Sequence, residues 1–170
     1  MLNGFLTRGI LNQEAQTTDN EGRFHVLNRE NTTGVERWYH YWRGTTAHWA
    51  RTPLPLPSEL TPASINNVTG TPTVIGKRGK LFSRGSSLFA LLPSNAANSS
   101  ALSILGSTAG GQFRDWSVAW EADSGCAAEP LFDRYRLITE AEGGDGDGLL
   151  SLFLVNGTDI EVVDLNLSSL

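Results

Sequence analysis

Apolar positions along this chain come in short runs, broken every few residues by clusters of Gly, Pro, Asn and Ser. No stretch sustains the i, i+3, i+4 spacing of an amphipathic helix with caps. The runs are rich in β-branched and aromatic residues, and they read as strands. In the first unit the pattern predicts strands over 14–18, 23–29, 36–43 and 49–52, with turns at Asp19-Asn-Glu-Gly22, Asn31-Thr-Thr-Gly34 and Gly44 to His48. A proline-rich connector, Pro53 to Pro57, follows, and it is a poor ladder strand.

The plan then repeats. Strands are predicted over 79–83, 87–92, 101–108 and 116–120, and again over 129–137, 149–155 and 160–167. His25, Leu88 and Leu150 sit at matching points about 60 residues apart. Trp49 and Trp116 each open an outermost strand after a Gly-containing turn. A long period with about four strands per unit is the mark of propeller blades. A β-sandwich, whose strands also recur with turn signals, is the competing architecture.

The expected fold is therefore all-β: a partial β-propeller of about three four-stranded antiparallel blades. The approximate blades are 10–56, 74–121 and 127–168, within one region spanning 1–170. Propellers close with about four or more blades, so closure calls for further, N-terminal blades, and the chain reads as the C-terminal part of a longer parent. The first residues have no long apolar core and do not read as a signal peptide. Five N-x-[ST] sequons, at Asn31, Asn67, Asn98, Asn156 and Asn166, lean toward a secreted parent protein.

Composition narrows the function classes. With 39% hydrophobic and 18% charged residues the chain is ordinary globular material. The net charge of -5 argues against a nucleic-acid surface. No apolar run approaches the roughly 20 residues of a membrane-spanning helix, so no membrane partner is expected. One cysteine, Cys126, allows no internal disulfide and reads as a small buried apolar group.

Propeller sites sit at the central channel, on the innermost strands. The polar residues expected there are Asn12, Gln13, Glu14 and Gln16, then Arg78 and Lys80, then Glu129, Asp133 and Arg134. They face either a wet, ligand-holding channel or a hydrogen-bonded network between blades. His25 and His40 lie on neighbouring strands. They are either acid–base groups, since imidazole titrates near neutrality, or packed residues bonded across the ladder. Cys126 with either histidine would suit zinc, but CxxC and HxxxH spacings are absent, and no metal ligand is assigned. The Gly143 to Gly148 loop lacks the spaced ligands of a calcium-binding EF-hand.

Particular residues also resemble a known family. Phe24-His-Val-Leu27, Trp38-Tyr-His-Tyr-Trp-Arg43 and Trp49 are similar to the blade pattern of BNR-repeat proteins, and Ser107 to Trp116 resembles a degenerate Asp-box. Asn12 to Gln16, Arg78-Gly-Lys80, Glu129-Pro-Leu-Phe-Asp133 and the Val163-Asp-Leu165 ending resemble the BNR-repeat group that includes seven-bladed rhamnose–glucuronate and ulvan polysaccharide lyases. The resemblance implies an acidic polysaccharide as partner and cleavage by β-elimination. It implies calcium or a structural zinc in the parent protein. In β-elimination a cation must neutralise the uronate carboxylate while a base takes the C5 proton, and Arg is suited to the carboxylate. On this reading His25, His40, Tyr41 and Arg43 are the catalytic candidates. Gln13, Glu14, Arg29, Arg78, Lys80, Glu129 and Arg134 are the substrate-binding ones. Tyr39 and Tyr135 are further phenol candidates.

Three alternatives stand beside it. The chain is a non-catalytic glycan-binding or interaction propeller, with Trp38, Tyr41, Trp42 and Trp49 as stacking faces. It is a sialidase-like hydrolase, whose arginine triad is not found here. Or it is an inactive truncated product.

Overall fold

The computed structural model describes residues 15–31, 36–44, 48–55, 78–94, 100–123 and 125–169, without the side chains of residues 29–31, 36, 37 and 169. They form three antiparallel sheets, none closed on itself. The first sheet runs in the order β1 (Ala15–Thr18), β2 (Phe24–Asn31), β3 (Glu36–Arg43), β4 (Trp49–Pro53). The second repeats it with β5 (Lys80–Arg84), β6 (Ser87–Pro93), β7 (Leu102–Thr108), β8 (Ser117–Ala122). The third is β11-β10-β9, made of β9 (Leu131–Phe132), β10 (Leu149–Asn156) and β11 (Asp159–Asn166). The chain is all-β, and its sheets are blade-like.

The turns explain the hairpins. Arg84 pairs with Ser87, which leaves Gly85 at the first position of a two-residue loop, and its φ of 55° is one that a side chain would oppose. Gly157, with φ 67°, does the same between Asn156 and Asp159.

The sheets stack face to face, and the stacking follows from strand alternation. On β6, Leu88, Ala90 and Leu92 face the first sheet, and Phe89 and Leu91 face the third. This is why β6 is a near-continuous apolar run: both of its faces are covered. The first seam buries Leu27, Trp38 and Leu54 against Leu81, Leu88, Ala90, Leu92 and Leu105, with Phe113 and Trp116 closing it. The second buries Phe82, Phe89, Leu91, Leu102 and Ile104 against Leu150, Leu152 and Leu154, with Cys126, Leu137 and Leu167.

The third unit departs from expectation. A strand was expected over 129–137, the first of three placed in this unit, although blades of about four strands were expected in general. Among the described residues this sheet has three strands, and its first is only Leu131–Phe132. The reason is local. The Asp133 carboxylate accepts hydrogen bonds from the backbone N–H of Tyr135 and Arg136, at 2.8 and 3.3 Å. That is an N-cap, and it turns the chain into a short helix, α1 (Arg134–Leu137). The far face of the third sheet carries Leu131, Phe153, Ile160 and Val162, all exposed. Among the described residues no helix is long and apolar enough to cross a membrane.

Leu91→Ala, in the second seam, is expected to cost about 2–5 kcal/mol through lost burial and a cavity, whereas Val162→Ala on the exposed face costs about 0.5 kcal/mol or less. Urea unfolding of the two variants checks this.

Candidate functional site

The first strands of the three sheets converge on one groove of about 410 Å³, within the size range of small-ligand sites. β1 and the following turn contribute Thr17, Thr18, Asp19 and Asn20. β5 contributes Lys80, Phe82, Ser83 and Arg84, and the third sheet's entry contributes Phe132, Arg134, Leu137 and Glu142. Ser83 Oγ donates to the Thr18 carbonyl at 2.8 Å, tying β5 to β1 across the seam.

Charges in the groove are mostly paired. Lys80 hydrogen-bonds Glu129, and the Arg78 guanidinium lies 3.6 Å from the same carboxylate. Arg84 donates to the Gly148 carbonyl at 2.9 Å and sits 3.8 Å from Glu142. Glu142 is held below the usual carboxylate range, first by its hydrogen bond from Thr139. Arg134 is exposed and enters no ion pair among the described residues. Of the residues expected at the channel, Gln16, Lys80 and Arg134 line the groove, and Arg78 and Glu129 join them through the ion pairs with Lys80 and with each other. Gln13 and Glu14 lie outside the described residues, as does the Arg29 side chain.

The histidines sit elsewhere, on the inner face of the first sheet. His25 faces Trp42 in the register and His40 faces Leu27, so the two rings meet diagonally. They stack at 5.1 Å between centroids, with His25 Nδ1 2.9 Å from His40 Nε2. Both are fully buried. Asp19 completes a chain of polar atoms, its Oδ2 lying 3.2 Å from His25 Nε2 and 2.5 Å from Arg23 Nε. Its Oδ1 accepts the backbone N–H of Glu21 and Arg23. Burial would raise the Asp19 carboxyl, but the Arg23 and His25 hydrogen bonds outweigh it and hold the group below its ordinary value.

An ionised Asp19 only accepts, so His25 carries its proton on Nε2 and offers Nδ1 as an acceptor to His40 Nε2–H. This leaves His40 Nδ1 proton-free and buried, with no close hydrogen-bond partner among the described residues. Burial pushes His25 below its ordinary 6.5, against the pull of Asp19. Burial, and then the neighbouring His25, lower His40 to about 3, against an upward pull from the Phe113 backbone.

Tyr41 and Arg43 are on the opposite face of β3 from His40. Tyr41 is itself buried, and Arg43 is exposed. The four residues expected to be catalytic therefore do not share a site. Trp38 is also buried, so neither it nor Tyr41 offers a stacking face. Tyr135 is exposed on α1, and Arg51 lies 3.9 Å over the Tyr39 ring. Cys126 is fully buried, as expected of a small apolar group. Among the described residues no group of three or more His, Cys, Asp or Glu side chains is placed to hold a metal.

Asp19, Arg84 and Glu142 were not singled out from the sequence. Asp19 was read as a turn residue, which it is. Its reach to His25 has no sequence signal, because that depends on how the turn folds back over β2. Compared with known protein families and with curated proteins, the chain matches none.

The buried pair predicts a pH dependence. Unfolded, both imidazoles take up protons near 6.5; folded, both resist. Stability present above pH 6.5 is thus lost as pH falls below it. Urea midpoints measured from pH 7.5 to 5 are expected to decline for the natural chain, and to decline less for His40→Phe.

Proposed function

We propose that this chain is a glycan-binding propeller segment that holds an acidic saccharide in the groove along its first strands, without cleaving it. The observation that carries the reading is the exposed Arg134, in no ion pair among the described residues, at a groove that already holds Lys80 and Arg84. A guanidinium with its fork free matches a carboxylate in two parallel hydrogen bonds. Phe82 and Phe132 give the groove an apolar wall, and Thr17, Asn20 and Ser83 offer hydroxyl and amide groups to sugar hydroxyls. The resemblance to BNR-repeat propellers supports a polysaccharide as the source of the carboxylate.

Binding is favoured over β-elimination by the placement of the proton-transfer groups. A base must come within hydrogen-bond reach of the proton it removes. His25 and His40 are enclosed in the seam, and Tyr41 is buried on the far side of β3. A substrate lying in the groove meets none of them.

Titration calorimetry with glucuronate oligosaccharides, against a neutral glucan of equal length, tests the reading. Binding of the acidic ligand alone is expected, weakening as salt screens the charges. Arg134→Ala is expected to weaken it roughly tenfold or more, the value of a charged hydrogen bond. Equal affinity for the neutral glucan, or none for either, would count against the proposal. Ultraviolet absorbance of an unsaturated uronate in the same mixtures would instead return the lyase reading.

A further inference from the structure

The third sheet ends differently from the other two. Among the described residues the first and second sheets each finish in a fourth strand, β4 and β8, and the third finishes in β11. Both fourth strands carry features that discourage further pairing. β4 is five residues long and runs into Pro53. β8 breaks register against β7 between Ile104 and Leu105, the mark of a bulge. β11 has neither. It runs eight residues, Asp159–Asn166, in unbroken register with β10, and holds no proline, glycine or lysine.

The register fixes which backbone groups face that edge. Gly157 and Thr158 form a two-residue loop, so Asn156 and Asp159 close the ladder as a hydrogen-bonded pair. Alternation then turns the N–H and C=O of Asp159, Glu161 and Val163 toward β10, and those of Ile160, Val162 and Asp164 outward. The far side of β10 agrees. There the Val155 carbonyl accepts from Ala127 N at 2.7 Å and the Ser151 carbonyl from Asp133 N at 3.0 Å, both away from β11. At the same edge the side chains of Ile160 and Val162 are 75% and 58% exposed. They share the far face with Phe153, which stands opposite Val162 in the ladder.

β11 is complementary to itself. Two copies related by a two-fold axis pair antiparallel, and the residue on the axis sets the register. With Val162 on the axis, it meets the partner's Val162. Ile160 then meets the partner's Asp164, Glu161 the partner's Val163, and Asp159 the partner's Leu165. No carboxylate stands opposite another. With Ile160 on the axis, Asp159 would face the partner's Glu161, and with Asp164 on the axis it would face the partner's Asp164. Like charges directly opposite destabilise a ladder. Asp164 is in addition already paired, with Arg136 at 3.0 Å. The like-charge approach that remains is diagonal, between Glu161 and the partner's Glu161, at the roughly 7–8 Å of such neighbours. Glu161 is exposed, so salt screens that approach. The Val162 register also lays Phe153, Val162, the partner's Val162 and the partner's Phe153 in one apolar row.

We propose that β11 is a dimerisation edge, at which a second copy of this chain adds its own β11 antiparallel and joins the two third sheets into one. The edge lies across the sheet from β9, so the groove along the first strands stays open in both copies. The dimer therefore presents two grooves, side by side for a long polymer to engage. The pairing does not rest on the glycan reading, and it is tested without ligand.

Sedimentation equilibrium of the natural chain reads the association. A shift from monomer to dimer mass is expected between about 1 and 300 µM, the range of small interfaces. Val162→Pro removes the outward N–H at the axis, a loss that an edge strand tolerates within its own sheet. It is expected to abolish the dimer. Val162→Thr keeps both the N–H and the β-branched shape, and is expected to retain it. Amide exchange by NMR on the natural chain reads the register. In dilute samples the Glu161 and Val163 amides should be protected while those of Ile160, Val162 and Asp164 exchange freely. With the dimer formed these three should become protected too, by roughly threefold more for each tenfold in concentration, from mass action. A chain that stays monomeric throughout overturns the proposal. So does a dimer whose Ile160, Val162 and Asp164 amides still exchange freely, because another surface then makes it. So does a dimer that Val162→Pro leaves intact. Should Val162→Pro not fold, the mass and amide measurements on the natural chain decide alone.

Discussion

Everything in this molecule leans on the second sheet. Among the described residues it is the one sheet with an apolar cluster on each face, shared with the first sheet on one side and the third on the other. Leu88, Ala90 and Leu92 serve one seam while Phe89 and Leu91, between them in sequence, serve the other. Burial at roughly 25 cal/mol per Å² makes such a doubly covered strand the main source of cohesion. The outer sheets are less self-sufficient, and β11 is mostly exposed along its length. The groove is a product of the same stacking, since its walls are the first strands that the seams bring side by side.

The two seams differ in chemistry, although one sheet makes both. The second is apolar throughout and is sealed by Leu137 and Cys126. The first contains a polar chain, Asp19 to His25 to His40, enclosed among Trp42, Phe113 and Trp116. Polar groups in such a place are costly unless paired, and among the described residues the pairing stops one atom short, at His40 Nδ1. The first seam is thus the one whose stability answers to solvent conditions.

Most of the fold was legible in the sequence because its signals are local. β3 was expected over 36–43 and is found there, and β6, β7 and β10 are each within about a residue of expectation at either end. Alternation inside each strand and Gly at the turns carry that information without help from tertiary contacts. The third unit was misread because its apolar residues look like strand while Asp133 acts on only two backbone amides to begin a helix. Of the residues expected at a channel, Lys80 lines the groove from a first strand and Arg134 from α1, while Arg78 and Glu129 flank first strands and meet Lys80 through their ion pairs. The catalytic expectation fared differently. Alternation alone places Tyr41 across the strand from His40, so those two could have been separated without a structure. The meeting of His25 with His40 needed the register, and the meeting with Asp19 needed the turn, neither of which is written in one segment.

Cys126 gives the molecule a built-in clock. Its thiol is fully enclosed beside the second seam, where the sulfur donates to the Ala128 carbonyl at 3.1 Å and its backbone N–H to Ser100. An alkylating reagent reaches the sulfur only when that seam parts, so the rate of its modification counts openings. As the chain's single cysteine, it marks each molecule at one place and at most once.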